Sequence, residues 1–169
     1  MTIFFNLDIS ELNIQSLIAQ KAAELGFIKT GFAKYDVLEK EAQKLRLWLD
    51  KGFAADMEWI ERGFEKRKDV RNILPDAKSI ISLAFNYYTP FEHDENKPKI
   101  SRYAWGKDYH KVLKPKLKEI SGLISRSGFK SLAYVDDGPV MDKVWAQKSG
   151  IGWMGKHTNI INPEYGSWF

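Results

Sequence analysis

The chain has 169 residues, of which 44% are hydrophobic and 14% aromatic, and its formal net charge is +4. This length and composition fit one folded domain with its own core and exclude a disordered chain. The absence of cysteine excludes disulfides, a thiol nucleophile and any iron–sulphur cluster held by thiolates of this chain. We find neither a membrane-spanning apolar run nor a secretory signal, and we expect a cytoplasmic protein without a membrane anchor.

Apolar residues at helical spacing predict three helices in the first half of the chain, over 11–25, 37–49 and 54–62. Ser10 is the expected N-cap of the first helix, and Gly26 is the expected residue just past its end. Strand-like stretches lie over 27–33 and 79–87. The second stretch is apolar almost throughout, so we expect it to be buried on both faces of a sheet.

The second half of the chain predicts helices over 108–125 and 139–149, a strand over 131–136, and strand beginnings at 158–161 and 166–169. Pro115 lies inside the first of these helices and should kink it or remove one backbone hydrogen bond. The sequence ends on the apolar residues Trp168 and Phe169, without a turn, cap or polar tail. Because an unpaired apolar edge is a liability, we expect this chain to be a fragment of a longer protein.

Asp136 and Asp137 end a predicted strand, and a loop with Gly150, Gly152 and Gly155 follows. This pattern places carboxylates beside a backbone that can approach a ligand closely. Adjacent strand residues point to opposite faces, so only one carboxyl can face a given pocket. An apolar ligand over that pocket would desolvate the carboxyl and raise its pKa, which favours a proton donor. The same residues also fit a plain strand–turn–helix connection with a solvated acidic turn.

Few other residues are candidates for a ligand site. Lys156 and His157 in the glycine-rich loop could contact a polar ligand edge, and Arg67 could bind a carboxylate or amide; each also fits a surface residue. The three histidines lack metal-ligand spacing, and neither a phosphate-binding glycine motif nor a nucleophile elbow occurs. We therefore predict no metal site made by this chain, and the sequence gives no support for nucleotide binding or hydrolase chemistry.

The segment 97–118 carries eight basic residues and one acid, with three aromatic residues among them. Such a tract fits a nucleic-acid backbone or another polyanion, and Lys107, Lys111 and Lys114 are the candidates for RNA binding. It equally fits a solvated helix face that covers apolar surface with lysine stems.

Four motifs are similar to those of one enzyme family. The longest runs from Asp136-Asp-Gly-Pro-Val-Met-Asp-Lys143 through Ser149-Gly-Ile-Gly-Trp-Met-Gly-Lys-His-Thr158. The others are Ser101-Arg-Tyr-Ala-Trp-Gly-Lys-Asp-Tyr-His110, Leu74-Pro-Asp-Ala-Lys-Ser79 and Pro163-Glu-Tyr-Gly-Ser-Trp168. The motifs occur in the same order along the chain as in that family, and from about residue 18 to the end the chain resembles the N-terminal catalytic domain of epoxyqueuosine reductases.

The resemblance implies an α/β (α+β) domain of nitroreductase-like fold, related to the core of reductive dehalogenases, with a mixed central sheet flanked by helices. It implies that 1–169 is a single catalytic domain that binds cobalamin with its lower ligand displaced. The family reduces epoxyqueuosine to queuosine in the anticodon loop of tRNA, with loss of water. Low-valent cobalt supplies the electrons, and the protein supplies orientation and a proton.

By position in the family motifs, Asp136 matches the proton donor beside the cobalamin. Arg67, Ser101 and Ile160 match positions that line the cobalamin, and His157, in the same loop, stands where the family usually has Asn. Asp137 stands where the family has Ser or Thr, and a buried charge there would raise the pKa of the donor.

The family also implies a downstream ferredoxin-like module whose cysteines hold two four-iron clusters, and this chain lacks those cysteines. We therefore expect the isolated chain to bind cobalamin weakly and not to turn over, and the full-length protein to be a monomer. Two other interpretations stay open. One is a non-catalytic cobalamin- or flavin-binding module that acts with a partner chain, and the other is an RNA-binding domain whose acidic pair is only a turn.

Overall fold

The computed structural model describes residues 1–8 and 12–169, and the expected cap Ser10 lies outside them. Across these residues the strands are β1 (Thr2–Phe5), β2 (Lys29–Lys34), β3 (Ser79–Ala84), β4 (Ser131–Tyr134), β5 (Trp153–Met154) and β6 (Ile160–Ile161). The helices are α1 (Leu12–Glu24), α2 (Glu39–Asp50), α3 (Glu58–Arg62), α4 (Phe64–Lys68), α5 (Tyr109–Arg126) and α6 (Asp142–Lys148). Helices flanking a sheet confirm the predicted α/β class.

The main sheet has the order β2-β3-β1-β4, and β5 pairs with β6 in a separate small sheet. Every pairing between the described strands of the main sheet is antiparallel, so the expected mixed sheet is wrong. Strand direction was not readable from the sequence, because a strand buried on both faces looks alike in parallel and central antiparallel positions. All six residues of β3 are buried, which confirms the expectation for 79–84, whereas residues 85–87 of the predicted stretch lie beyond the strand and are half-buried.

The central strand β1 was missing from the sequence prediction. Its four residues are all buried, and it pairs with β3 on one side and β4 on the other. The expected strand beginning at 166–169 does not form a named strand; only an isolated bridge joins Asn162 and Gly166 there.

Alternation along β1 divides the core into two layers. Ile3 and Phe5 pack with buried residues of α1 and α5, including Ile18 and Ile120. Phe4 points to the other face and belongs to the cluster around Trp145 of α6, which is fully buried. The sheet is therefore covered by α1 and α5 on one face and by α6 on the other.

Close contact with β2 fixes the end of α6. A Cβ atom added at Gly31 would lie 2.3 Å from the backbone oxygen of Ser149, so only glycine allows this approach. The glycine-rich loop 150–155 begins directly after this contact. The packing of α6 on β2 therefore sets where that loop leaves the core.

The amino-terminal end of α5 is capped by Asp108, whose side chain accepts a hydrogen bond from the backbone N–H of His110 at 2.9 Å. Further along, α5 continues through Pro115 as one helix. Pro115 is exposed, so the backbone carbonyl that loses its helical partner can face water. The helix is therefore continuous from its first turn, which carries Tyr109 and His110, to Arg126.

Candidate functional site

An open cleft of about 870 Å³ lies where the end of β3, the segment 92–103 and the loops around β5 and β6 meet. Its apolar lining includes Leu83, Ala84 and Ile160, and its polar lining includes Ser101 and Lys143. Ligand pockets in proteins typically have volumes of about 300–1,000 Å³, with mostly apolar walls and a few polar groups. The cleft thus has the size and the mixed lining of a site for a large organic ligand.

Aromatic rings form one wall of this cleft and continue away from it. Tyr87 contacts Trp168 at 6.0 Å and Tyr103 at 6.4 Å, and Tyr103 contacts Tyr109 at 6.2 Å, all between ring centroids in edge-to-face geometry. The guanidinium of Arg102 lies 5.1 Å from the centre of the Trp168 ring. Edge-to-face and cation–π contacts of this kind are favourable, and the Tyr103 and Trp168 rings are exposed to solvent. The wall also links the cleft to Tyr109.

Asp136 lies two residues beyond β4, with a φ of 50° in the left-handed region. Its Oδ2 accepts a hydrogen bond from the Tyr109 hydroxyl at 2.5 Å, and its Oδ1 lies 2.9 Å from Nε2 of His110. These partners are 27 and 26 residues earlier in the chain. Two of the motifs seen in the sequence therefore converge on one carboxylate.

The other ring nitrogen of His110 also faces a carboxylate, because Nδ1 lies 2.9 Å from Oδ1 of Asp108. The hydrogen bond to Asp108 raises the pKa of His110 most, burial works against it, and the bond to Asp136 raises it further. The same contact with His110 lowers the pKa of Asp108. Burial, and then the hydrogen bond to Asp136, raise the pKa of the Tyr109 phenol far above its usual range, so this phenol stays protonated.

Asp136 is not enclosed by the residues around it, and the desolvation of its carboxyl by an apolar ligand stays a prediction. Its side chain is 59% exposed, and it is not among the residues that line the cleft. The reason is local: β4 ends at Tyr134, and the turn that follows directs the carboxyl toward the first turn of α5. Strand alternation does not extend to a turn, so it could not predict this direction.

Asp137 also contacts α5, through an ion pair of 2.7 Å with Lys114. Burial would raise the pKa of Asp137, but hydrogen bonds from Lys114 and from the backbone N–H of Val135 outweigh it, and the pKa is lowered. The charge of Asp137 is thus compensated by Lys114. Asp137 is therefore not the buried, unpaired charge on which that expectation was conditional.

Of the residues predicted to bind the cofactor, Ser101 and Ile160 line the cleft together. Arg67 is buried elsewhere: its guanidinium lies 5.2 Å from the Trp59 ring centre, its Nη1 donates to the backbone carbonyl of residue 60 at 3.4 Å, and burial lowers its pKa. His157 is exposed at the turn between β5 and β6, with Nε2 at 3.3 Å from the Ser167 hydroxyl. The structure does not bring Arg67, Asp136 or His157 to the cleft lining.

Sequence reasoning gave no role to Tyr109 and His110, although both lie in a quoted motif. Asp142 was also missed: it lines the cleft and accepts a hydrogen bond of 2.6 Å from the Thr2 hydroxyl. The motif with Asp108, Tyr109 and His110 was the available indication. Asp136, which Tyr109 and His110 contact, follows a different element of the fold, so the sequence alone did not reveal this contact.

The predicted RNA-binding lysines differ in their surroundings. Lys114 is paired with Asp137, whereas Lys107 and Lys111 are exposed near the first turn of α5. Their contact with RNA stays a prediction. Within 1–8 and 12–169, no helix is long and apolar enough to cross a bilayer, and no three acidic or histidine side chains form a potential metal site.

Comparison with known proteins shows what the chain is similar to. A family model described as epoxyqueuosine reductase QueG, DUF1730, matches residues 67–137. An epoxyqueuosine reductase of Atelocyanobacterium thalassa is 44% identical over 93% of this chain and 52% of its own length. One of Cellulophaga algicola is 44% identical over 90% of this chain and 51% of its own length.

Solved structures show the same relationship. An epoxyqueuosine reductase crystallised with an epoxyqueuosine-modified stem loop of tyrosine tRNA superposes with a TM-score of 0.81 and 29% identity, covering 93% of this chain and 43% of that one. The Bacillus subtilis enzyme, solved with its catalytic aspartate loop swung out of the active site, gives a TM-score of 0.70 and 26% identity, covering 93% and 43%.

The chain is thus similar to epoxyqueuosine reductases both in sequence and in fold. It is related to the epoxyqueuosine reductases over most of its own length, which confirms the resemblance seen in the motifs. The chain spans about half the length of the relatives it matches.

Proposed function

We propose that this chain is the cobalamin-binding catalytic part of an epoxyqueuosine reductase, which reduces epoxyqueuosine in tRNA to queuosine in the cytoplasm. Asp136 is the proton donor in this proposal. The observation that carries it is the convergence of two family-like motifs on the Asp136 carboxylate, through Tyr109 and His110. The relationship to epoxyqueuosine reductases, one of them solved with a modified tRNA stem loop, supports it.

The residues of the cleft fit a corrin. A flat macrocycle needs an apolar floor, which Leu83, Ala84 and Ile160 can provide, and its peripheral amides need polar partners, which Ser101 and Lys143 can provide. Bound cobalamin would supply the electrons for the reduction. The chain's own side chains would orient the substrate, exclude water and hold the proton that the reaction consumes.

Asp136 would act on the epoxide oxygen. Reduction of an epoxide to an alkene takes up two electrons and two protons and releases the oxygen as water. Because an alkoxide leaves poorly, a proton delivered to that oxygen as the C–O bond breaks lowers the barrier. Asp136 lies outside the cleft lining here, and we propose that the turn 135–138 moves it toward the substrate. A relative solved with its aspartate loop swung out supports such mobility.

We propose that the electron-delivering iron–sulphur clusters belong to a part of the enzyme beyond these 169 residues. The chain has no cysteine to hold a cluster, and it spans about half the length of its relatives. In this proposal residues 1–169 alone bind cobalamin weakly and do not turn over, and the full-length enzyme is a monomer.

Filling the cleft at Ser101 should block cobalamin binding. Ser101 is exposed and lines the cleft, so Ser101→Trp adds a large ring there without disturbing the core. We expect the dissociation constant of the full-length protein to rise at least about tenfold, equal to roughly 1.4 kcal/mol of binding free energy. The measurement is a titration that follows the corrin absorbance for displacement of the lower ligand.

The matched control is Ser125→Trp, at an exposed position near the end of α5 and outside the cleft lining. It should bind cobalamin like the unmodified protein. Equal binding by both variants would show that the corrin does not occupy this cleft. The absence of any spectral change with the unmodified protein, at concentrations well above micromolar, would remove cobalamin from the proposal.

Removing an exposed lysine near α5 should weaken RNA binding without preference for sequence. Lys107→Ala or Lys111→Ala should each reduce the salt dependence of stem-loop affinity by about one unit of slope, because each removes one phosphate contact. Fluorescence anisotropy of a labelled anticodon stem loop at several salt concentrations measures this slope. Lys130→Ala, beyond the other end of α5, is the control. Unchanged slopes for both test variants would assign the basic tract to a solvated helix face.

A further inference from the structure

His110 lies between two carboxylates. Its Nδ1 is 2.9 Å from Oδ1 of Asp108 and its Nε2 is 2.9 Å from Oδ1 of Asp136. A carboxylate only accepts hydrogen bonds, and a neutral imidazole carries one N–H, so it can satisfy only one of these contacts. An imidazolium donates through both nitrogens. The geometry therefore selects the protonated form of His110.

Other charged and titratable groups around the ring agree with this form. Asp108 caps the same helix, Asp136 comes from the turn after β4, and the Tyr109 ring stacks on the imidazole with its centroid 4.2 Å away. The cation at Lys114, one turn along α5, is paired with Asp137. The nearest carboxylates thus face His110 from two elements, and they raise its pKa.

The contacts of Asp136 show why it needs a proton source. Oδ1 faces the imidazole and Oδ2 accepts from the Tyr109 hydroxyl, so with a protonated His110 both oxygens act as acceptors and the carboxyl carries no proton to transfer. The Tyr109 phenol holds its proton too tightly to supply it. Histidine is the side chain whose proton can move in the physiological range of pH.

We propose that His110 is the proton reservoir of Asp136. The proton on Nε2 passes to Oδ1 of Asp136, which converts the imidazolium to a neutral imidazole and the carboxylate to a carboxylic acid. Asp136 then moves with its turn and gives this proton to the substrate oxygen, and Nε2 of His110, no longer covered by Asp136, takes a new proton from water. His110 is a positioning residue that acts through Asp136, and the inference rests on the proposed role of that aspartate.

The first test needs neither cofactor nor substrate. We expect the ring resonances of His110 in NMR to titrate above the usual histidine midpoint of about 6.5. The Asp108→Asn substitution should lower that midpoint, because it removes the carboxylate that raises it most. An ordinary midpoint that does not respond to Asp108→Asn would overturn the reservoir. So would a pattern of resonances that shows unprotonated Nε2 at neutral pH.

The second test separates proton supply from simple support. In the full-length enzyme, His110→Gly should lower kcat about a hundredfold with little change in KM, at the lower end of the contribution of general acid–base catalysis, because His110 acts through Asp136. Added imidazole should restore part of the rate. Tyr109→Phe also removes a hydrogen bond to Asp136, but imidazole should not rescue it. Full activity of His110→Gly, or no rescue, would contradict the proposal.

The two proposals fail in different ways. Retained turnover in a variant without the Asp136 carboxyl would remove Asp136 as the donor, and the reservoir with it. An ordinary NMR titration midpoint for His110, together with an inactive Asp136→Asn enzyme, would support Asp136 as the proton donor. It would overturn only the role of His110 as the proton reservoir. If both hold, turnover should fall as pH rises through the raised pKa of His110, because the imidazolium is then lost.

Discussion

Asp136→Asn should abolish turnover of the full-length enzyme and leave cobalamin binding intact. The amide keeps an acceptor oxygen for Tyr109 or His110, but it has no transferable proton. Loss of a positioned general acid typically costs about 10²–10⁴ in rate, and with a poor leaving group we expect the upper end. Single-turnover conversion of an epoxyqueuosine stem loop measures the rate, and the corrin absorbance measures binding.

Asp137→Asn is the matched control for this substitution. The two aspartates are adjacent, but Asp137 pairs with Lys114 and does not contact Tyr109 or His110. Its loss should change the rate by only a few fold, because a partly exposed ion pair is worth about 1 kcal/mol or less. Retained activity in Asp136→Asn would end its assignment as donor. An inactive Asp136→Asn variant that also fails to bind cobalamin would indicate a structural role for Asp136.

Gly31→Ala should be among the most destabilising single changes in the chain. The added Cβ would lie 2.3 Å from the backbone oxygen of Ser149, which cannot rotate away as a side chain can. Either α6 lifts off β2 or the strand shifts, and overpacking of this kind costs about 1–3 kcal/mol, occasionally more. We expect about 3 kcal/mol, measured as the change in the free energy of unfolding in urea.

Gly52→Ala separates this contact from the general cost of losing a glycine. Gly52 has a φ of 70°, and nothing lies within 4 Å of the position its Cβ would take. Alanine there should cost only the backbone strain, about 1–2 kcal/mol. If Gly31→Ala were no more destabilising than Gly52→Ala, α6 would not be seated on β2 as the structure has it.

The parts of the fold that local pattern determines were predictable. The unbroken apolar run of β3 and the helical spacing in α5 are visible within short windows of sequence. The central strand β1 was not, because its four residues are too few to show a period. What makes them a strand is pairing with residues near 80 and 132, and no local pattern records such partners.

The candidate site, like the fold, was predictable only in part. The motifs indicated which residue types belong together, and they included Asp136 and the Asp-Tyr-His sequence of residues 108–110. They did not show that the two segments touch, since that contact depends on how α5 packs beside β4. The motifs also did not show which way the Asp136 carboxyl points, because two residues of turn after β4 decide whether it faces the cleft or solvent. Lys114 could not be distinguished from its neighbours before its partner Asp137 was located.

The central place of β1 constrains synthesis. Its residues are synthesised before both of its sheet neighbours, and one of these, β4, ends only at Tyr134. Until β4 has been synthesised, one edge of the apolar strand β1 is unpaired. This edge can pair with the wrong strand or with another molecule. A chaperone that covers the unpaired edge of β1 during translation would therefore raise the yield of correctly folded protein.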